Sequence, residues 1–264
     1  MHEPTIIPTT IPTIVFTTRE RRRLARRVLL YRTIAPALCR PVAVSTKPAL
    51  VIAPHQDDET FGCGGIIAAK RAAGVPVSVV FVTDGSRCNG DTLSAIERST
   101  LVALREAEAS AALARLGVLP ESIHFLRLPD GTLASLDRGA HGKFRGRLQD
   151  FIISEPNIEV YTPHRRDSHP DHEACTAVVK EAARAAGGTT VWEYPVWLFW
   201  SRNRFLANLF PGDFRGGVKV DVRPFLEAKR AAIAEYTSQL ATLPPGFVDQ
   251  FLWGEECFYR IEGR

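Results

Sequence analysis

The chain has no apolar run near the ~20 residues needed to cross a bilayer as a helix, so no membrane-spanning segment is read from it. It has only five cysteines, Cys39, Cys63, Cys88, Cys175 and Cys257, and no two of them stand in CxxC spacing. An odd number spread this widely argues against a disulfide framework and against a thiolate zinc site. A reducing cytoplasm is the compartment expected. Beyond residue 47 there is no basic excess, with 24 Lys/Arg against 27 Asp/Glu. By charge, the main body is therefore not a nucleic-acid-binding surface. The first apolar stretch has no basic segment before it and is broken by Pro4, Pro8 and Pro12. It does not read as a signal peptide.

What is present is ordinary for a soluble globular chain: 264 residues, 45% hydrophobic and 23% charged. That length can bury a sizeable core. Residues 1–47 hold nine Lys/Arg and two acids, so the whole basic excess sits in an N-terminal arm. Residues 1–18 read as an extended leader. Over residues 19–32, Leu24, Val28 and Tyr31 recur at helical spacing among arginines, which predicts a basic helix. Such a helix can lie peripherally on an anionic inner-membrane surface. The preferred alternative packs its apolar stripe on the domain with the arginines in solvent. The expected division is an extension, 1–47, followed by one domain, 48–264.

From residue 47 onward, strand and helix patterns alternate. ALVIA (49–53) is a short continuous apolar run, as in a strand covered on both faces. A helix follows to Gly74, then the strand VPVSVVFVT, a long amphipathic helix stopped by Gly117, and the strand IHFLRL. KFRGRLQDFIISEP reads as a helix, IEVYTP as a strand, HPDHEACTAVVKEAARAAGG as a helix and TTVWEYPVW as a strand. KVDV and PFLEAKRAAIAEYTSQL add one more of each. This order predicts an α/β fold of three layers, Rossmann-like, with a mostly parallel sheet between helices. Ligands of such sheets sit at the carboxyl ends of the strands, where strand order reverses.

Two polar clusters follow predicted strands: His55-Gln56-Asp57-Asp58 and His169-Pro170-Asp171-His172. Imidazole and carboxylate donors suit zinc, and a catalytic zinc takes about three protein ligands and keeps one position open. His55 and Asp58, three apart in a tight turn, can point the same way and leave Asp57 free to take a proton. His172 can complete the set while His169 stays unligated and protonated nearby, able to steady an oxyanion or protonate a leaving amine. Gly62, Gly64 and Gly65 let the next helix start close to the first loop, either for packing or for the approach of a substrate. Either cluster alone is weak evidence, but two after separate parallel strands make a site. The aromatic run Trp192, Tyr194, Trp197, Phe199, Trp200 suits a core, with a glycan or apolar aglycone platform as the alternative. His164 reads as a surface loop residue, with a place in the pocket lining as the alternative.

APHQDDETFGCGG resembles the (A/P)HPDDE signature of the LmbE-like, or PIG-L, family of zinc-dependent N-acetylglucosaminyl deacetylases. RRDSHPDHEAC, LREAEASAALARLGV and VDVRPFLEAKRAAIAEYTSQ resemble that family's later motifs. The resemblance implies an LmbE-like deacetylase domain over 48–264, with His55, Asp58 and His172 as ligands of Zn2+ or another divalent metal. It further implies Asp57 as general base, His169 as oxyanion stabiliser and acid, Asp171 orienting the imidazoles, and Arg105 contacting substrate. The implied substrate is an N-acetylglucosamine-type amino sugar, free, glycan-linked or lipid-linked, that loses acetate. Amidase action on another amino-sugar conjugate and a non-catalytic carbohydrate-binding module are the alternatives. Gln56 stands where the family usually has proline; the change loosens the loop, adds an amide able to reach the ligand and touches no ligand position.

Overall fold

The computed structural model describes residues 36–87, 93–200 and 216–261, together with Thr33. The leader 1–18, the basic helix expected over 19–32 with its membrane reading, and Cys88 lie outside the described residues or outside what is described of their side chains. Among the described residues no helix is long and apolar enough to cross a membrane.

Among the described residues eight strands form one sheet: β1 (Arg40–Val42), β2 (Ala49–Ala53), β3 (Val77–Thr83), β4 (Ile123–Leu128), β5 (Glu159–Pro163), β6 (Thr190–Tyr194), β7 (Val218–Asp221) and β8 (Glu255–Arg260). Their order across the sheet is β1-β7-β8-β6-β5-β2-β3-β4. Every pairing is parallel except those of β8, which runs antiparallel between β6 and β7. All five residues of β2 are buried, as expected of an apolar run flanked by strands and covered on both faces.

The main helices are α1 (Asp58–Ala72), α2 (Ala95–Arg115), α3 (Arg138–Ile153), α4 (Pro170–Ala185) and α5 (Leu226–Glu235). Valines 51 and 79 face a core closed by α1, α2 and α5. Leu50, Ile52 and Val80, their neighbours in sequence, face the opposite core under α3 and α4. The period-2 alternation of the strands thus feeds two helical layers, and the expected three-layer α/β architecture is what the chain adopts. The helix read over the segment ending in Leu240 stops instead at Glu235. A short second helix, α6 (Thr237–Leu240), follows the break at Tyr236. β1 and β8 were not expected from the sequence. β1 is three residues with a central proline, and β8 reads EECFYR, where charges mask the strand pattern.

Strand order reverses at β2. Its neighbours are β3 on one side and β5 on the other, both parallel to it. The loops leaving β2 and β5 therefore diverge over opposite layers and open a crevice between them. Those loops carry the two polar clusters.

The glycines of α1 have a packing role. A Cβ on Gly62 would lie 2.1 Å from the Tyr194 ring, and one on Gly65 would lie 2.6 Å from Val222. Tyr194 cannot easily yield, since it is fully buried and its hydroxyl donates to the Ile52 carbonyl at 2.8 Å. Gly62→Ala is therefore expected to cost about 2 kcal/mol or more through overpacking, read as a lower urea midpoint with an unchanged slope.

Candidate active site

The first loop is built around Asp58. Its Oδ2 accepts the backbone N–H of His55 at 2.9 Å, which closes a four-residue turn at the head of α1. Within that turn Asp57 stands at φ 131° and ψ −29°. Non-glycine residues rarely occupy this region, and such strain clusters at functional positions. Glu59 braces the turn by accepting the Asp57 N–H at 3.2 Å, and Tyr236 donates its hydroxyl to Glu59. Asp57 lines a cavity of about 300 Å3 together with His55, Asp58, Arg105, Asp130 and His169.

The second loop arrives through α4. His169 is the N-cap of that helix, and its Nδ1 accepts the Asp171 N–H at 3.3 Å. The ring proton then sits on Nε2. Further into the helix, His172 is fully buried and donates Nδ1–H to Asp167 at 2.7 Å. Its Nε2 lone pair consequently faces the first loop. His55 is fixed in the same way, since its Nε2 meets Asp130 at 3.1 Å and Asp171 at 3.4 Å, leaving Nδ1 as the free acceptor.

With both rings neutral, three lone pairs therefore converge. His55 Nδ1 lies 3.2 Å from His172 Nε2, Asp58 Oδ2 lies 3.1 Å from His172 Nε2, and it lies 3.3 Å from His55 Nδ1. Tetrahedral zinc ligands at about 2.0–2.1 Å stand roughly 3.3 Å from one another, so the donor set and its spacing fit a divalent cation. Two overlapping sets of ligating atoms also lie within 4.8 Å: His55, His169 and His172, and His55, Asp130 and Asp171. The carboxylates of the latter are committed elsewhere. Asp130 accepts the Arg87 N–H at 2.8 Å, and Asp171 accepts from Gly131 at 2.7 Å and Leu133 at 3.0 Å. They act on His55 as hydrogen-bond acceptors behind the ring.

The electrostatics favour a positive charge at this point. Burial opposes the His172 imidazolium, yet Asp58 and Asp167 outweigh it and lift its pKa to about 9. Burial is likewise outweighed at His55 by Asp130, Asp171 and Asp58, and its pKa rises well above 6.5. Burial and the adjacent Asp58 push Asp57 well above the usual carboxylate range, with Arg105 pulling the other way. Burial and repulsion from His172 and His55 push His169 down to about 4. Positive charge on His172 and His55 thus works against the protonated His169 expected from the sequence.

All seven residues singled out in the sequence lie at this crevice or directly behind it. Arg105 lines the cavity but is buried, donating to the Gly85 carbonyl at 2.8 Å, to the Gln56 carbonyl at 3.1 Å and to Gln239. It holds the β2 loop against the β3 loop. Asp171 is fully buried behind His55. Gln56 does not reach toward a ligand: it is fully buried and donates to the Thr83 carbonyl at 3.1 Å. His164 is not a surface residue but is fully buried near Glu193 and Tyr259. Sequence reasoning missed Asp130, Asp167 and the apolar residues Phe61, Leu243 and Phe247 that line the same cavity. Asp130 follows the carboxyl end of β4 in LPDG, so the strand-end rule that located the other loops applies to it.

A mostly parallel α/β sheet with an imidazole–carboxylate cluster at its reversal point defines a class of protein, the LmbE-like fold with a hydrolytic type of centre. More particularly, residues 50–183 match the pattern of the PIG-L (GlcNAc-PI de-N-acetylase) family, and the chain belongs to that family. It is 33% identical over 135 residues to a probable N-acetyl-alpha-D-glucosaminyl L-malate deacetylase 2 of Bacillus subtilis (strain 168). That match covers 50% of this chain and 59% of the relative. It is 28% identical over 281 aligned positions to the 1D-myo-inositol 2-acetamido-2-deoxy-alpha-D-glucopyranoside deacetylase of Nocardia farcinica (strain IFM 10152), covering 84% and 93% of the two chains. The crystal structure of the conserved protein TT1542 from Thermus thermophilus superposes with a TM-score of 0.58 at 26% identity, covering 80% of this chain and 93% of that one.

Proposed function

We propose that the chain is a metal-dependent N-deacetylase that hydrolyses the acetamide of an N-acetylglucosamine-type amino sugar to acetate and a free amine. The observation that carries this reading is the meeting of three lone-pair donors, His55 Nδ1, Asp58 Oδ2 and His172 Nε2, within 3.1–3.3 Å of one another. Beside them an acid, Asp57, is left outside the set. His55, Asp58 and His172 would hold the ion, with zinc the best match to two nitrogens and one oxygen. A divalent cation bound there supplies acidity to a water and polarises the amide carbonyl.

Asp57 receives the proton of the attacking water, and its raised pKa makes it a stronger base than an exposed aspartate. As the C–O bond forms, His169 donates its Nε2–H hydrogen bond to the carbonyl oxygen, and as the C–N bond breaks the proton that Asp57 took from the water passes to the leaving amine. Asp130 and Asp171 hold the His55 ring, and Asp167 holds His172, so that both lone pairs keep their aim. Arg105 braces the loop through three acceptors and lines the cavity with its Nε–H unengaged by the described residues, so it keeps a donor for the sugar.

The test is metal analysis of the purified chain together with an acetate-release screen over N-acetylated sugars, glycan fragments and glycolipids. Near-stoichiometric divalent metal is expected, with acetate release that chelator abolishes and zinc restores. Unimpaired turnover in the chelated protein would remove the metal from the reading, and release of another acid in place of acetate would change the bond that is cut.

A further inference from the structure

The cavity that holds Asp57 has two unlike sides. One carries the imidazoles and carboxylates described above. The other is formed by Phe61, Val196, Trp197, Leu243 and Phe247. Trp197 is only half-buried, whereas the ring behind it, Phe247, is fully buried, with centroids 4.4 Å apart. Phe247 in turn meets Phe61 edge-on at 5.8 Å. The Trp197 backbone is fixed as well, because its N–H donates to Asp167 at 3.0 Å between those of Val196 and Leu198. This is a rigid apolar face already in place beside the reacting groups.

An aromatic face can serve a second sugar ring or an apolar group, and the neighbours distinguish the two. Sugar hydroxyls need hydrogen-bonding partners around the stacked ring, because an unmade bond at a desolvated hydroxyl is costly. The polar side chains on this side are Gln239 and Thr242, whereas the exposed Arg87 lines the cavity against Gly131, on the side of Asp130. Gln239 accepts from Arg105 and donates to Glu108 at 3.4 Å, and Thr242 donates to the Gln239 carbonyl at 2.8 Å. They serve the protein rather than a glycan. Resting on the deacetylase reading above, we propose that the amino sugar carries an apolar aglycone, alkyl or aryl, and that Trp197 is the residue that selects it.

The experiment compares kcat/KM for acetate release from methyl, butyl, octyl and 4-nitrophenyl N-acetylglucosaminides of both anomers and from N,N'-diacetylchitobiose. The expected result is a rise with alkyl length of up to roughly fourfold per methylene that reaches the wall, carried mainly by KM. Trp197→Gln should flatten that series, so that the ratio of octyl to methyl kcat/KM falls toward one. Trp197→Phe, the safer fold, should restore part of the slope. A flat series in the parent chain, a preference for the chitobiose, or an equal loss on every substrate in both variants would overturn the assignment while leaving acetate release intact. Calorimetry with octyl glucoside, which has no acetamide, separates the two readings. If no N-acetylated sugar is cleaved, saturable octyl glucoside binding that is lost in Trp197→Gln supports the apolar face on its own, and absence of that binding overturns it.

Discussion

Replacing Asp57 by glycine should lower kcat by about 10²–10⁴-fold and at the same time make the protein harder to unfold. The two effects come from the same residue by different routes. The carboxylate is the unligated acid beside the donor set, so its loss removes the proton acceptor. The backbone at φ 131°, ψ −29° costs an aspartate about 1–3 kcal/mol, and glycine adopts such angles with little penalty. Removing a carboxylate held next to Asp58 and Glu59 relieves repulsion as well. Urea unfolding with and without chelator, metal content and acetate-release kinetics read the three quantities separately. Asp57→Asn should lose turnover with a smaller gain in stability, since it keeps a side chain on the strained backbone. Wild-type turnover in either variant would take Asp57 out of the chemistry, and a glycine variant less stable than the parent would show that the turn is not strained.

The second large effect is expected at Asp167, which joins two parts of the site. Its Oδ1 accepts the N–H groups of Val196 at 2.9 Å, Trp197 at 3.0 Å and Leu198 at 2.8 Å, while Oδ2 takes the His172 Nδ1–H at 2.7 Å. Asp167→Ala leaves these buried donors without an acceptor and should cost about 3 kcal/mol or more. Asp167→Asn is the sharper variant. Its amide oxygen can keep the three backbone bonds, but its NH2 cannot accept from His172. The ring must then turn over its tautomer and present a proton where it had a lone pair. The expected outcome is a folded protein whose affinity for a divalent cation falls by about 10–100-fold, measured by competition with a chromophoric chelator. An asparagine variant with parental metal affinity would show that Asp167 serves only the 196–198 backbone.

The sequence made the alternation of strands and helices legible because the sheet is mostly parallel and doubly covered. Runs such as ALVIA must be apolar on both faces, and the helices between them must be amphipathic. That the loops of His55 and His172 could face one another was legible before any coordinates, since both follow strands of a parallel sheet, whose ligands sit at the carboxyl ends; that the order reverses at β2 was not. Other features were hidden for identifiable reasons. Asp167 stands two residues ahead of the HPDH stretch, and nothing local distinguishes a loop aspartate that gathers distant N–H groups from a solvated one. The burial of Gln56 and His164 depends on what covers them, and loop patterns do not encode that cover. The pKa of His169 is set by burial and by His55 and His172, which approach it only in the folded chain, so its protonation state is not legible in the HPDH stretch. The strand β8 escaped notice because it is antiparallel and its charged residues, among them Glu256, are used internally. Glu256 accepts the Gly65 and Ile66 N–H groups at 2.7 and 2.8 Å and pairs with Lys229 at 2.6 Å.

The position of β8 bears on how the nascent chain is completed. β1 and β7 are tied into the sheet through β8, which pairs β7 on one side and β6 on the other. During synthesis at about 5–20 residues per second, β6 emerges some seconds before β8 can join it. For that interval the free side of β6 is an unpaired ladder edge, open to a neighbouring polypeptide. A ribosome-associated chaperone engaging the chain between residues 194 and 255 would shield that edge, and stalling in this window should raise aggregation above that of a chain released past residue 260.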